Sequence, residues 1–179
     1  MGCGRNPRQD YRQIMSDSDL QSRLAPVLGR VPSGVFILVA GDGNGRRTGL
    51  LTSWVQQASF EPPQVTIAVN KSRYLIDWLK DGSPVTLNQV PKGDNLLFRH
   101  FSKGFDPNAE AFAGIDLVPA NNGLVALSSA MASMEGTVCG QMDAGDHRIL
   151  LVTITNAIVH KDLTQSEPFV HVRKNGFSY

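Results

Sequence analysis

With 179 residues, the chain is long enough for one domain with a sizeable core and too short for two typical ones. Its hydrophobic fraction of 41% is ordinary for a globular protein, and a net charge of +1 lacks the basic surplus expected of a duplex nucleic-acid binder. No apolar run reaches the roughly 18 residues of a membrane span, and basic residues cluster only locally, at Arg46-Arg47, Lys71–Arg73 and Arg173-Lys174, which suits a small anionic ligand.

Residues 1–16 are polar and lack periodicity, so a flexible leader is expected ahead of a domain spanning 17–179. The start, MGCGRNPRQDYRQ, has no apolar h-region and is not a secretory signal. Asn6 stands where a myristoylation start would carry Ser or Thr. Cys3 lies in the polar start and Cys139 in an apolar stretch, so both are read as free thiols in a reducing, cytoplasmic compartment.

A short helix follows. Ser16 or Ser18 can cap it, Asp17 and Asp19 suit its positive end, and Leu20, Leu24, Val27 and Leu28 fall at helical spacing before Gly29. GVFILVAG, then GDGNG, then RRTGLLTSW read as an antiparallel hairpin. QVTIAVN alternates like a half-buried strand. KSRYLIDWLKDG predicts a helix capped by Ser72 and ended by Gly82, and SPVTLNQV returns to strand. GDNLLFRHFSKG predicts a second amphipathic helix, opened by Asp94 and closed by Gly104. From Leu117 the pattern is mostly strand, with HRILLVTITNAIVH the longest stretch. Six or seven strands with tight hairpins and three short helices predict a mainly β, antiparallel barrel with helical decoration.

Two segments carry candidate chemistry. In TSWVQQASFEPP, the residues Thr52, Ser53, Gln56, Gln57 and Ser59 are too polar for a core strand, and Trp54, Val55 and Phe60 too apolar for a plain loop. Such a segment suits the ring edge and ribityl chain of a flavin, or else a polar edge strand running into a Pro-terminated loop. Lys71-Ser72-Arg73 at a helix start suits a phosphate, or an ordinary solvated cap. His147, between Asp146 and an apolar strand, is a candidate for hydrogen bonding at the cofactor. The histidines and cysteines show no metal-ligand spacing, there is no GxSxG, and GDGNG sits in a hairpin rather than a Rossmann turn.

Six segments in order resemble the flavin reductase-like family, whose members share an FMN-binding Greek-key split β-barrel. They are GLLTSWVQQASFEPPQVTIAV, the KSR turn, PVTLNQV, HFSKGFDPNAEAFAG, MEGTVCGQMDAGDH and HVRKNGFSY. HFSKGFDP, GDH and the last segment are particularly similar to the flavin reductase modules at the C-terminus of cyanobacterial-type diflavin flavodiiron proteins. The resemblance implies an FMN site, with FAD as the alternative, built from Thr52, Ser53, Trp54, Val55, Gln56, Gln57 and Ser59, the Lys71–Arg73 turn and Asn88. It implies help from Phe101, Ser102 and Lys103, with His147 near the ring and the nicotinamide. It further implies a homodimer, and hydride transfer from NADH or NADPH to flavin, then to free flavin, oxygen or a protein acceptor. Two other readings stay open. One is a non-catalytic FMN- or haem-binding module. The other is an electron carrier serving a separate flavodiiron or monooxygenase protein.

Overall fold

The structure, a computed structural model, describes residues 17–178. The expected leader, with Cys3, lies outside the described residues. Those described form two compact units, one of residues up to Pro32 together with Val172 onward, the other Ser33–His171.

In the first unit, α1 (Asp17–Gly29) forms where the helical spacing predicts it. Its last carbonyls lack partners inside the helix. Arg30 N and Val31 N donate to Val27 O and Leu28 O, and the C-terminal segment adds two bonds: Arg173 N donates to Gly29 O at 2.8 Å and Gly176 N to Ala25 O at 2.7 Å. Gly176 is needed here, because a Cβ would lie 2.3 Å from Leu28 Cβ.

The second unit is built on β2 (Phe36–Gly41), β3 (Arg47–Thr52), β4 (Val55–Ser59), β5 (Gln64–Asn70), β6 (Pro84–Gln89), β9 (Ala132–Ala144) and β10 (His147–Val159). They form one antiparallel sheet in the order β3-β2-β6-β9-β10-β5-β4. Strands β3 and β4 occupy opposite edges, yet only Ser53 and Trp54 separate them in sequence. Laid flat, six inter-strand steps would hold them about 29 Å apart, whereas three peptide units reach at most about 11 Å. The sheet must therefore curl until its edges meet, which makes it a barrel. Two short pairs complete the unit: β1 (Ser33–Gly34) with β11 (Val170–His171), and β7 (Leu117–Pro119) with β8 (Val125–Leu127).

Burial explains the two strand textures. In β5 only alternate residues, Val65, Ile67 and Val69, are buried. Strand β2 is apolar throughout because both of its faces are covered. Phe36, Leu38 and Ala40 join the cluster of Ile67, Leu87 and Leu150, while Ile37 and Val39 pack with Leu97, Phe101 and Leu127. Leu97 and Phe101 come from α2 (Asn95–Ser102), whose first amides, Leu96 N and Leu97 N, both donate to Asp94 Oδ1 at 3.0 Å.

One predicted helix is corrected. KSRYLIDWLKDG forms only a 3-10 turn, Tyr74–Asp77, preceded by Arg73 and without a side-chain cap. Asn70 Oδ1 takes the Ser72 amide, and Ser83 Oγ bridges Lys80 N and Trp78 O. These side chains satisfy the backbone locally, so a longer ladder gains little. Ser72 is therefore not a helix cap, and no extended helix dipole points at the KSR turn.

Gly49 marks where α2 touches the barrel. A Cβ there would lie 2.3 Å from Phe101 Cε1, on a ring that is fully buried. Gly49→Ala is expected to destabilise the fold by about 1–3 kcal/mol through overpacking. Urea denaturation reads this directly, and an unshifted midpoint would show that Phe101 does not press on β3.

Candidate functional site

The turn out of β3 places Thr52, Ser53 and Trp54 where the barrel edges meet, and Trp54 O accepts from Ala68 N of β5 at 2.9 Å. At the end of β5, Asn70 is paired with His147, the first residue of β10. The indole of Trp54 lies against the His147 ring, with centroids 4.7 Å apart and planes tilted by 39°. Three chain segments distant in sequence thus converge.

The electrostatics of His147 are set by its neighbour. Its Nδ1 lies 2.8 Å from Asp146 Oδ1. An ionised carboxylate only accepts, so Nδ1 carries the proton, and in the neutral ring Nε2 is left as an acceptor. That hydrogen bond from His147 is the main cause holding the Asp146 carboxyl below the usual carboxylate range. Nε2 itself is buried and has no hydrogen-bond partner among the described residues, and the same holds for Ser53 Oγ. Buried polar groups are rarely left so, because each costs about 1–3 kcal/mol unpaired.

Further back along β3 lies a pocket of about 230 Å³, lined by Thr48–Leu50, Ser72–Leu75 and Gly104–Pro107. Arg73 is its cation: Nη1 approaches Lys103 O at 3.5 Å. Gly104 lets it sit there, with φ +71° and a hypothetical Cβ 2.7 Å from Arg73 Nη1. Lys71 is engaged elsewhere, 3.2 Å from Asp143. Hydrogen bonds from Arg148, and next from Lys71, hold the Asp143 carboxyl below its ordinary range.

The other expected residues fall into two groups. Val55 begins β4 opposite Ile67, but Gln56, Gln57 and Ser59 run away from the convergence. Gln57 pairs with Val65, five residues before Asn70, or roughly 17 Å along the strand. Phe101 is fully buried and forms the floor under Gly49, Ser102 Oγ donates to Arg99 O, and Lys103 contributes its carbonyl. Asn88 is the clear correction. It has no exposed surface: Nδ2 donates to Ile37 O, and Oδ1 accepts from Leu127 N and Ser133 Oγ. With both polar atoms engaged in tying β2, β8 and β9 together, its side chain has nothing to offer a ligand. Sequence reading assigned no site role to Thr48, Tyr74 or Gly104, though the glycine after an amphipathic helix was a signal for a positive φ.

Residues 28–178 match the model of the flavin reductase like domain. The chain is 37% identical over 168 residues to diflavin flavoprotein A 1 of Synechocystis sp., covering 93% of this chain and 29% of that protein. It is 39% identical over 170 residues to a putative diflavin flavoprotein A 1 of Thermosynechococcus vestitus, covering 94% and 29%. It therefore spans under a third of the length of these relatives. Among solved structures, the NADH:FAD oxidoreductase SgcE6 of Streptomyces globisporus superposes with a TM-score of 0.76 at 23% identity, covering 89% of this chain and 92% of that one. The flavin reductase HpaC, solved with NADP+, gives 0.70 at 21%, covering 83% and 90%. A split barrel whose edges meet at a polar seam is the class that this fold defines. The chain belongs to the flavin reductase-like family.

Asn88→Ala separates strut from ligand. Losing the amide strands Leu127 N and Ile37 O, so a loss of about 2 kcal/mol or more is expected. Chemical denaturation measures that loss. Flavin affinity of the folded protein should stay within about twofold, and a selective loss of affinity would restore Asn88 to the site.

Proposed function

We propose that this chain is a flavoprotein that binds the FMN moiety at the seam and reduces it with NADH or NADPH, acting as an NAD(P)H:flavin oxidoreductase. The observation that carries this reading is the pair of buried, unpartnered polar atoms, Ser53 Oγ and His147 Nε2, beside an indole and a cationic pocket. The hydrogen-bonding edge of an amphipathic ring system satisfies Ser53 Oγ, a nicotinamide stacked on that ring satisfies His147 Nε2, and a phosphate suits Arg73. The residues present fit the group. When bound, a flavin accepts a hydride from a nicotinamide and passes electrons onward to free flavin, oxygen or a protein acceptor.

The chain's own part is binding and orientation. The backbone from Thr52 to Val55 faces the ring edge, and Arg73 neutralises the phosphate. His147, held in one tautomer by Asp146, presents Nε2 as an acceptor for the carboxamide of the nicotinamide donor. Positioning of this kind can lower a barrier without any covalent step by the protein. The sequence resemblance also supports a homodimer with a flavin near each subunit boundary, and the reading of the cysteines as free thiols supports a cytoplasmic compartment.

The first test is the visible spectrum of the purified protein soaked in FMN, before and after anaerobic NADH and NADPH. A flavin spectrum that bleaches supports the reading, and a colourless protein overturns it. Arg73→Ala should weaken FMN by roughly 10–100-fold, the worth of one charge-assisted hydrogen bond. His147→Ala should leave FMN affinity within about twofold while slowing flavin reduction in stopped flow. Unchanged reduction would remove His147 from that role.

A further inference from the structure

We infer that Asn44, in the turn of the β2–β3 hairpin, is a site of spontaneous covalent modification, where the following main-chain amide displaces the side-chain nitrogen as ammonia. The sequence holds three Asn-Gly pairs, Asn44-Gly45, Asn122-Gly123 and Asn175-Gly176. In each, the glycine puts no Cβ in the way of ring closure. The pairs are alike in sequence, and the fold separates them by what their reacting groups already hold. Nothing in this chemistry needs a flavin.

Two of the pairs are tied down. Asn122 Nδ2 donates to Val85 O at 2.9 Å, its Oδ1 accepts from Leu124 N at 3.1 Å, and Gly123 N donates to Ala120 O at 3.3 Å. Asn175 Oδ1 accepts from Phe177 N at 2.8 Å, and Gly176 N donates to Ala25 O at 2.7 Å. In both, the attacking amide and the amide under attack must leave hydrogen bonds before they can meet. The hairpin differs. Asp42 Oδ1 accepts from Asn44 N at 2.8 Å and from Arg46 N at 3.0 Å. It claims the outer two of three successive amides and leaves the middle one, that of Gly45. Among the described residues, neither the Gly45 N–H nor the exposed Asn44 side chain has a hydrogen-bond partner. Gly45 has φ +96° and, its chain neighbours apart, no atom within 4 Å of where a Cβ would stand, so a ring closing there meets no wall.

The step balances with water alone. Gly45 N loses its proton to solvent and attacks Asn44 Cγ. An N–C bond forms, the Cγ–Nδ2 bond breaks, and Nδ2 leaves as ammonia with a proton taken from solvent. Water then adds to either carbonyl of the cyclic imide and opens it. One opening gives aspartate, and the other gives isoaspartate, in which the main chain runs through the side-chain carbon. No oxidant or reductant takes part. The consequence is electrostatic. Asn44 lines a cavity of about 750 Å³ whose charged lining is Arg46, Arg47 and Lys80 against Asp42 and Asp77. Asp42 is already matched by Arg46 at 2.7 Å. A new carboxylate at position 44 balances the two signs and removes the net positive charge of the cavity wall.

The test is incubation of the folded full chain in mildly alkaline buffer made with isotopically labelled water, with proteolytic peptides followed over time by mass spectrometry. Asn44 is expected to convert at least about tenfold faster than Asn122 or Asn175, with isoaspartate in its product and labelled oxygen in the new carboxyl. In denaturing urea, where the hydrogen bonds are gone, the three rates should come to within about threefold of one another. Asn44→Gln keeps an amide but lengthens the side chain away from favourable ring closure, so the acidic species seen on anion exchange should disappear. Equal rates for the three pairs in the folded chain, or a product that holds aspartate without isoaspartate, overturn the inference. A lead of Asn44 that survives intact in urea also overturns it, because local sequence and not the fold would then set the preference. An acidic species that persists in Asn44→Gln does the same, by placing the modification elsewhere.

Discussion

A two-residue link between the two edges of one sheet governs this structure. Ser53 and Trp54 join β3 to β4, which are the most distant strands in the pairing order. No extended chain of that length spans a flat sheet, so closure is forced. The backbone of the link is not part of a β3–β4 ladder; its carbonyl at Trp54 is taken by β5 instead. The place where the barrel closes is thus also the place where polar groups are left facing inward without strand partners.

The rest of the barrel makes that seam rigid. Strand β2 is gripped on both faces, by the lumen cluster on one side and by α2 and β8 on the other. Polar struts lock the same region. Asn88 ties three strands, and Glu135, 1% exposed, accepts from Asn122 N and Asn156 Nδ2. Fully satisfied buried networks of this kind specify one arrangement of the strands around them. They also explain why polar residues in SPVTLNQV sit in a core strand: their partners are internal, not a ligand.

Function follows from contrast with those satisfied groups. Within a barrel where Asn88, Ser133 and Glu135 are all paired, Ser53 Oγ and His147 Nε2 stand out among the described residues as the buried exceptions. Both sit at the seam, where the Trp54 indole lies against the His147 ring. The proposed site, made of main chain, one oriented imidazole and one guanidinium, fits a reaction in which the small molecules carry the chemistry and the protein supplies position.

Much of the fold could be read from local pattern. The alternation of QVTIAVN, the capped stretch GDNLLFRHFSKG and the turn signal GDGNG each depend on neighbours within a few residues, and each formed as expected. The KSR helix did not, because side chains of Asn70 and Ser83 claimed its backbone groups. The proposed site has its residue types in the sequence, as hydroxyls, a cationic turn and a histidine after aspartate. Its membership was not legible there. Asn88 and Gln57 have the right chemistry at the wrong place, one sealed inside and the other far along an edge strand. Residue type and short-range period are properties of the chain itself, and they determined the elements. Which side chains end up facing one another depends on the closure of the sheet, and only the tertiary structure could decide that.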